Sequence, residues 1–260
     1  MNVTLLTDFG SSDGYVAALK GSLLRRAPEV RLIDITHEIA PGAISAAAFV
    51  LAQVAPYFSA GTVHLAVVDP GVGSERRAIA CEIGEQRYVA PDNGLLSGVL
   101  RRAEGARVHE ISRPELWNAT VSPVFHGRDI FAPVAGYLAA GGRLEDVGES
   151  IDVSILVRLS EPEMRREDGT AVGEVVYVDR FGNLITSIRV SSGEAEGAVV
   201  DAAGHTLPLR RTYADVPTGE LVALIGSSGR VEIACNGGSA ARSLGASLGS
   251  VVVLRSAGRS

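Results

Sequence analysis

Val63-His64-Leu65-Ala66-Val67-Val68-Asp69-Pro70-Gly71-Val72-Gly73-Ser74-Glu75-Arg76-Arg77 runs from an apolar stretch into a carboxylate, then a proline and two glycines, then two guanidiniums. The β-branched part, Val63 to Val68, predicts a buried strand that turns at Pro70-Gly71. Asp69 then stands where the strand emerges, and a chain that doubles back lets Arg76 face the same hollow. Two other apolar runs end alike, Val3-Thr4-Leu5-Leu6-Thr7 on Asp8-Phe9-Gly10 and Tyr88-Val89-Ala90 on Pro91-Asp92-Asn93-Gly94. Ligands of open α/β sheets lie beyond the carboxyl ends of the strands, so three acidic strand tips predict one shared pocket. Any single turn of this kind is ordinary loop chemistry; the three together point to a site.

Outward from these strands, the chain to about residue 155 alternates strand-like and helix-like runs. Tyr15 to Ala27 carries Val16, Leu19, Leu23 and Leu24 at helical spacing behind a candidate Asp13 cap, and Ile44 to Tyr57 repeats the pattern. After a strand over Val108 to Ile111 and a loop around Trp117, a helix is expected from Asp129 to Ala140, stopped by Gly141-Gly142. This predicts an N-terminal α/β domain with a mostly parallel sheet, residues 1–155, carrying the catalytic chemistry. The charged stretch from Leu159 to Gly169 reads as a linker or exposed hairpin. From residue 170 to 260 short β-type runs separated by glycine-rich turns predict a smaller β-barrel-like domain.

The 260 residues are 46% hydrophobic and 21% charged, which suits a core-forming protein of one large or two modest domains. No apolar segment is long enough to span a bilayer, and Met1-Asn2-Val3-Thr4 enters a strand without a basic region or cleavage site, so a cytoplasmic protein is expected. Cys81 and Cys235 lie in apolar runs as free thiols, with no disulfide framework or metal site. A net charge of −6 without basic runs argues against nucleic acid and anionic membrane as partners and favours a neutral or cationic small molecule.

Of the five histidines, His126 has the best setting for chemistry, on the glycine turn Phe125-His126-Gly127 before a helix. His37, just after a strand in Asp34-Ile35-Thr36-His37, is its rival with an open role. Taken in order, Thr7-Asp8-Phe9-Gly10 with Asp13, Asp34-Ile35-Thr36-His37, the Val67 to Arg77 loop, Ala90-Pro91-Asp92-Asn93-Gly94-Leu95-Leu96, Phe125-His126-Gly127-Arg128-Asp129 and Asp179-Arg180-Phe181-Gly182-Asn183 resemble the S-adenosyl-L-methionine (SAM) hydroxide adenosyltransferase family, relatives of fluorinase and chlorinase. The likeness runs through nearly the whole chain.

That resemblance implies a hydrolase that cleaves SAM with water to adenosine and L-methionine, using no metal and no further cofactor. It puts the water-activating triad on Asp69, Arg76 and His126, the residues the loops had already singled out. For the substrate it implies Asp8 on the ribose hydroxyls, Asp13 and Asp179 on the methionine ammonium, Asn183 on adenine edges and Phe181 in the same motif. Tyr213 is implied to stack on the base, with Ser227 and Ser228 on the methionine carboxylate. Halogenases of the family carry an aromatic and small hydroxyl residues at the positions of Asp69, Val72 and Arg76, and tyrosine at that of His126, so a SAM-dependent halogenase is the disfavoured alternative. A non-catalytic SAM- or adenosine-binding protein is the other. A guanidinium weakens a neighbouring carboxylate as a base, which leans toward His126 as proton acceptor without deciding it. The resemblance further implies a homotrimer with sites at subunit interfaces.

Overall fold

The structure, a computed structural model, describes residues 1–102, 105–160, 164–190 and 195–256. It divides into two compact units, Met1–Leu159 and Ser160–Ser260.

Six strands form the sheet of the first unit: β1 (Asn2–Thr7), β2 (Arg31–Thr36), β3 (Val63–Val67), β4 (Ala78–Ile83), β5 (Gln86–Pro91) and β6 (Ala106–Glu110). Their order is β2-β1-β3-β5-β4-β6. The first four in that order are parallel, and β4 is antiparallel to both β5 and β6. Four helices cover it: α1 (Tyr15–Leu24), α2 (Ile44–Val54), α3 (Ser97–Leu100) and α4 (Ala132–Ala139). Strand residues alternate between the two faces. Val3, Leu5, Val63, Leu65 and Val67 pack with Leu19 and Leu23 of α1 and Val134 and Leu138 of α4. Leu6, Ala66 and Val68 pack with Ala47 and Leu51 of α2 and Val99 of α3. Burial on both faces is why these strands read as continuous apolar runs.

The connection from β1 leads to β2 on one side, and the next crossover returns to β3 on the other side of β1. The β1/β3 edge is therefore the topological switch point, where the loops diverge and leave a crevice beyond the strand ends. Asp8 and Asp69 stand at the ends of these two strands.

Two helix expectations change. Asp13 does not cap α1: the N-cap is Gly14 and there is no side-chain capping bond. The helix expected from Asp129 starts earlier, as a π turn over Gly127–Phe131 that runs into α4. Pro133 has no N–H for the carbonyl four residues back, and that carbonyl, of Asp129, accepts instead from Asn118 N at 2.9 Å.

The second unit is a closed barrel of β8 (Thr170–Val178), β9 (Leu184–Arg189), β10 (Val199–Ala202), β11 (His205–Arg210), β12 (Leu221–Ile225), β13 (Arg230–Cys235) and β14 (Val251–Arg255). The circle β14-β10-β11-β12-β13-β9-β8 closes through β14 and β8. Its interior holds Val175, Leu184, Ile188, Val200, Val231, Ile233 and Leu254. Part of the stretch expected as a linker or hairpin is a hairpin, β7 (Arg165–Glu167) turning through Asp168-Gly169 into β8; residues 161–163 lie outside the described residues. Strands β10 and β11 carry no continuous apolar run, and the sequence reading missed them. Cys81 and Cys235 are buried free thiols. Among the described residues no helix is long and apolar enough to cross a membrane.

Candidate active site

Asp69 stands two residues past Val67, the end of β3, and the chain then folds through tight turns, Val72 N to Asp69 O at 3.2 Å and Ser74 N to Gly71 O at 3.1 Å. These turns bring Arg76 back over Asp69. Arg76 Nε lies 2.9 and 3.0 Å from the two carboxylate oxygens, and Nη2 donates to Oδ2 as well. Both side chains are largely buried, 5% exposed for Asp69 and 11% for Arg76. The guanidinium also sits 5.1 Å from the centre of the Phe131 ring, which adds a cation–π contact in a nearly dry site.

The third member arrives from a loop fifty positions on: Arg76 Nη2 is 3.0 Å from His126 Nδ1. Gly73 makes the approach feasible. Its φ is +78°, and a Cβ there would lie 2.6 Å from Pro123 O, so the Asp69 loop can touch the His126 loop only where a side chain is missing. Arginine is always a donor, so His126 Nδ1 is the acceptor and the ring proton belongs on Nε2. Burial first, and the Arg76 charge second, hold the His126 pKa below its ordinary value, while Asp69 and Asp129 oppose in part. The imidazole is therefore neutral at neutral pH and presents N–H, not a lone pair, on its remaining side. Next to it, Asp129 is buried and bonded by Arg128, Asn118 and Ser122 N; these outweigh the effect of burial and hold its pKa at about 2.

Of the three acidic strand tips, two belong together and one does not. Asp8 lies at the end of β1, with Gly42 N donating to its Oδ2 at 2.8 Å. Gly42 in turn packs on Pro70, next to Asp69. Asp92, by contrast, is buried with Arg77 at 2.6 and 3.0 Å and with Val157 N at 2.9 Å, all on loop structure. These partners make Asp92 a brace between the two loops. Asn93 from the same turn donates to Val68 O at 2.8 Å and ties the end of β5 to that of β3. Asp13 is exposed before α1. His37 is buried and reaches Thr7, away from the triad.

In the barrel, Asp179 Oδ1 accepts from Phe181 N and Asn183 N, both at 2.9 Å, and Oδ2 accepts from Asn183 Nδ2 at 2.9 Å. This bond takes one of the two Asn183 Nδ2 hydrogens. Phe181 is exposed, as is Ser227, and Ser228 is half-buried. Tyr213 sits on a short turn closed by reciprocal Thr212 and Asp215 bonds, with its ring 45% exposed. Its hydroxyl donates to Glu232 Oε1 at 2.6 Å. That bond above all, then burial and the charges of Glu232 and Asp179, push the Tyr213 pKa up to about 12. Glu232 was absent from the sequence reading; burial raises its pKa, the Tyr213 bond opposes and Asp179 adds to the rise. Its signal was present, one carboxylate inside the apolar run Val231 to Cys235. Among the described residues no cluster of three His, Cys, Asp or Glu is arranged to hold a metal ion.

Residues 3–148 match the SAM hydroxide adenosyltransferase N-terminal domain, and residues 173–253 match the C-terminal domain. The chain belongs to the SAM hydroxide adenosyltransferase family. Within this family, the (R)-S-adenosyl-L-methionine hydrolase of Salinispora tropica is 44% identical over 255 residues, 95% of each chain. A fluorinase of Actinopolyspora mzabensis is 29% identical over 274 residues, 92% of each chain. The crystal structure of an uncharacterized conserved protein from Thermotoga maritima, 35% identical, superimposes with a TM-score of 0.90 and covers 97% of this chain and 99% of that one.

Proposed function

We propose that the protein hydrolyses S-adenosyl-L-methionine to adenosine and L-methionine. The observation that carries this is the Arg76 side chain bonded to both Asp69 and His126 at the switch point of the sheet. Relatives named hydrolase, at 42% and 44% identity, stand nearer than those named fluorinase, at 28% to 30%.

In this reading a water oxygen attacks ribose C5′ in line with the C5′–S bond, and the bonding pair leaves with sulfur, which turns the sulfonium into the neutral thioether of methionine. A sulfonium needs neither a Lewis acid nor protonation to depart, so the reading uses no metal or cofactor. What the protein must supply is one held water and somewhere for its proton to go. His126 offers Nε2–H to the water oxygen and Asp69 accepts the proton. The Arg76 contact with Nδ1 supports this division, because it occupies the lone pair that a basic His126 would need. A carboxylate suffices as acceptor, since the water oxygen becomes strongly acidic as it bonds to carbon. Arg76 meanwhile holds the Asp69 carboxylate and the His126 ring in register with each other.

For the substrate, Asp8 holds the ribose diol, Asp13 and Asp179 the methionine ammonium, Ser227 and Ser228 its carboxylate, Asn183 the adenine edge, and Tyr213 with Phe181 the base. We extend the proposal to a homotrimer with sites completed at subunit interfaces, supported by the exposed rings of Tyr15, Phe181 and Tyr213 beside candidate substrate contacts. A cytoplasmic setting is supported by the free thiols.

Incubation of the purified protein with SAM, with and without halide, followed by product separation tests the function. Adenosine and methionine are expected; a 5′-halo-adenosine or unconsumed substrate refutes it. Asp69→Asn and His126→Ala should each lower kcat by about 10²–10⁴-fold, with the double variant little worse. Mixing Asp69→Ala with Asp179→Ala subunits should recover activity, and no recovery after confirmed exchange refutes shared sites.

A further inference from the structure

His37, the rival candidate to His126, takes no part in the triad. A one-residue shift in the β1–β2 register between Leu5 and Leu6 pairs Leu6 with Thr36, which carries His37 alongside Thr7. From there it grips the turn after β1 on both sides of Asp8. Its ring Nδ1 is 2.7 Å from Thr7 Oγ1, and its main-chain oxygen accepts from Gly10 N at 2.8 Å. The Thr7 hydroxyl also accepts from Phe9 N at 3.3 Å, which ties the ring contact to the backbone of the turn. Nε2 lies 3.2 Å from Asp34 Oδ1, within ion-pair range though off the line of a hydrogen bond. Asp34 is held from the other side by Lys20 Nζ of α1 at 2.7 Å.

Carboxylate, imidazole and hydroxyl in this order also make a nucleophile relay. Thr7 is fully buried and its oxygen is committed to Phe9 N, so no substrate can reach it. What the network can do is fix a backbone. Asp8 stands between the two bonded residues, and Gly42 N occupies one lobe of its carboxylate, leaving the other oxygen for a ligand.

We propose that His37 is a positioning residue, which sets the Asp8-Phe9-Gly10 turn so that Asp8 meets the ribose diol. The proposal rests on the reading of Asp8 given above. Its signature is discrimination between ribose and 2′-deoxyribose, a ratio that partial unfolding leaves unchanged because it removes sites for both ligands alike.

The test is calorimetric binding of adenosine and 2′-deoxyadenosine to wild type, Asp8→Asn, His37→Leu, His37→Asn and Thr7→Val. Wild type should prefer adenosine by about tenfold or more, as one hydrogen bond to a charged acceptor supplies. His37→Leu and Thr7→Val should bring the ratio within about threefold with 2′-deoxyadenosine affinity nearly kept, and His37→Asn, whose amide can still reach Thr7, should recover part of it. For turnover, KM for SAM should rise more than kcat falls. If His37→Leu fails to fold, Thr7→Val carries the test. A wild-type ratio in His37→Leu and Thr7→Val, with the ratio lost in Asp8→Asn, overturns the role of His37. A wild-type ratio in Asp8→Asn overturns the Asp8 reading and this proposal with it.

Discussion

Gly73→Ala should separate the catalytic loops while leaving every proposed catalytic side chain in place. The new Cβ would lie 2.6 Å from Pro123 O, whereas ordinary contact begins at 3.4 Å, so the two loops must part by about 3.4 − 2.6 = 0.8 Å. Applied to the 3.0 Å contact between Arg76 Nη2 and His126 Nδ1, that displacement breaks the hydrogen bond. Misplacement by about 1 Å in a catalytic constellation costs about 10²-fold in rate, and kcat should drop by about that factor. Alanine at φ +78° carries a separate backbone penalty of about 1–2 kcal/mol. Gly84→Ala controls for it: Gly84 has φ +59° on a hairpin turn between β4 and β5, with no atom near a built Cβ. Both variants should lose stability in urea titrations, Gly73→Ala the more because of the added clash, and only Gly73→Ala should lose kcat for adenosine release. Equal kcat in the two would refute the argument that loop contact at Gly73 assembles the triad.

Two further predictions concern buried polar groups on either unit. His64 on β3 is fully buried against Thr4 and the Tyr88 ring, and burial, opposed in part by the Gln86 side chain, depresses its pKa to about 4 from 6.5. Its folded pKa is the lower one, so its contribution to stability is complete above pH 6.5 and is lost as pH falls toward 4; between pH 7 and pH 5 the loss is about 2 kcal/mol. Urea unfolding at both pH values should show this acid penalty in wild type and not in His64→Gln, and equal acid sensitivity would refute it. In the barrel, Tyr213→Phe removes the donor to Glu232 and should raise KM for SAM by about tenfold with kcat little changed, while Glu232→Gln, which keeps an acceptor, should do less. An unchanged KM in Tyr213→Phe would show that this bond does not orient the ring.

The parts legible in the sequence are those that local chemistry encodes. Continuous apolar runs at Val3 to Leu6 and Val63 to Val68 announce strands buried on both faces, and helical spacing announces α1 and α2. The turn residues around Asp69 and His126 mark chemistry because glycine and proline constrain the backbone wherever the chain later goes. Strands β10 and β11 escaped notice because they are short and half-exposed, with Pro208 inside the second. Nothing local distinguishes Asp92 from Asp8 and Asp69, since each follows a strand and precedes a glycine. Only the long-range contacts with Arg77 and Val157 make Asp92 a brace. In the same way, the meeting of Arg76 with His126 depends on how close two loops come at Gly73 and Pro123, and the bond to Nδ1 that decides the tautomer depends on that approach. Sequence alone therefore determined which residue types stand at the turns and the family they resemble. Tertiary structure decided which of them touch, and through which atoms, because hydrogen bonds and charge pairing act over a few ångströms of space between residues far apart along the chain.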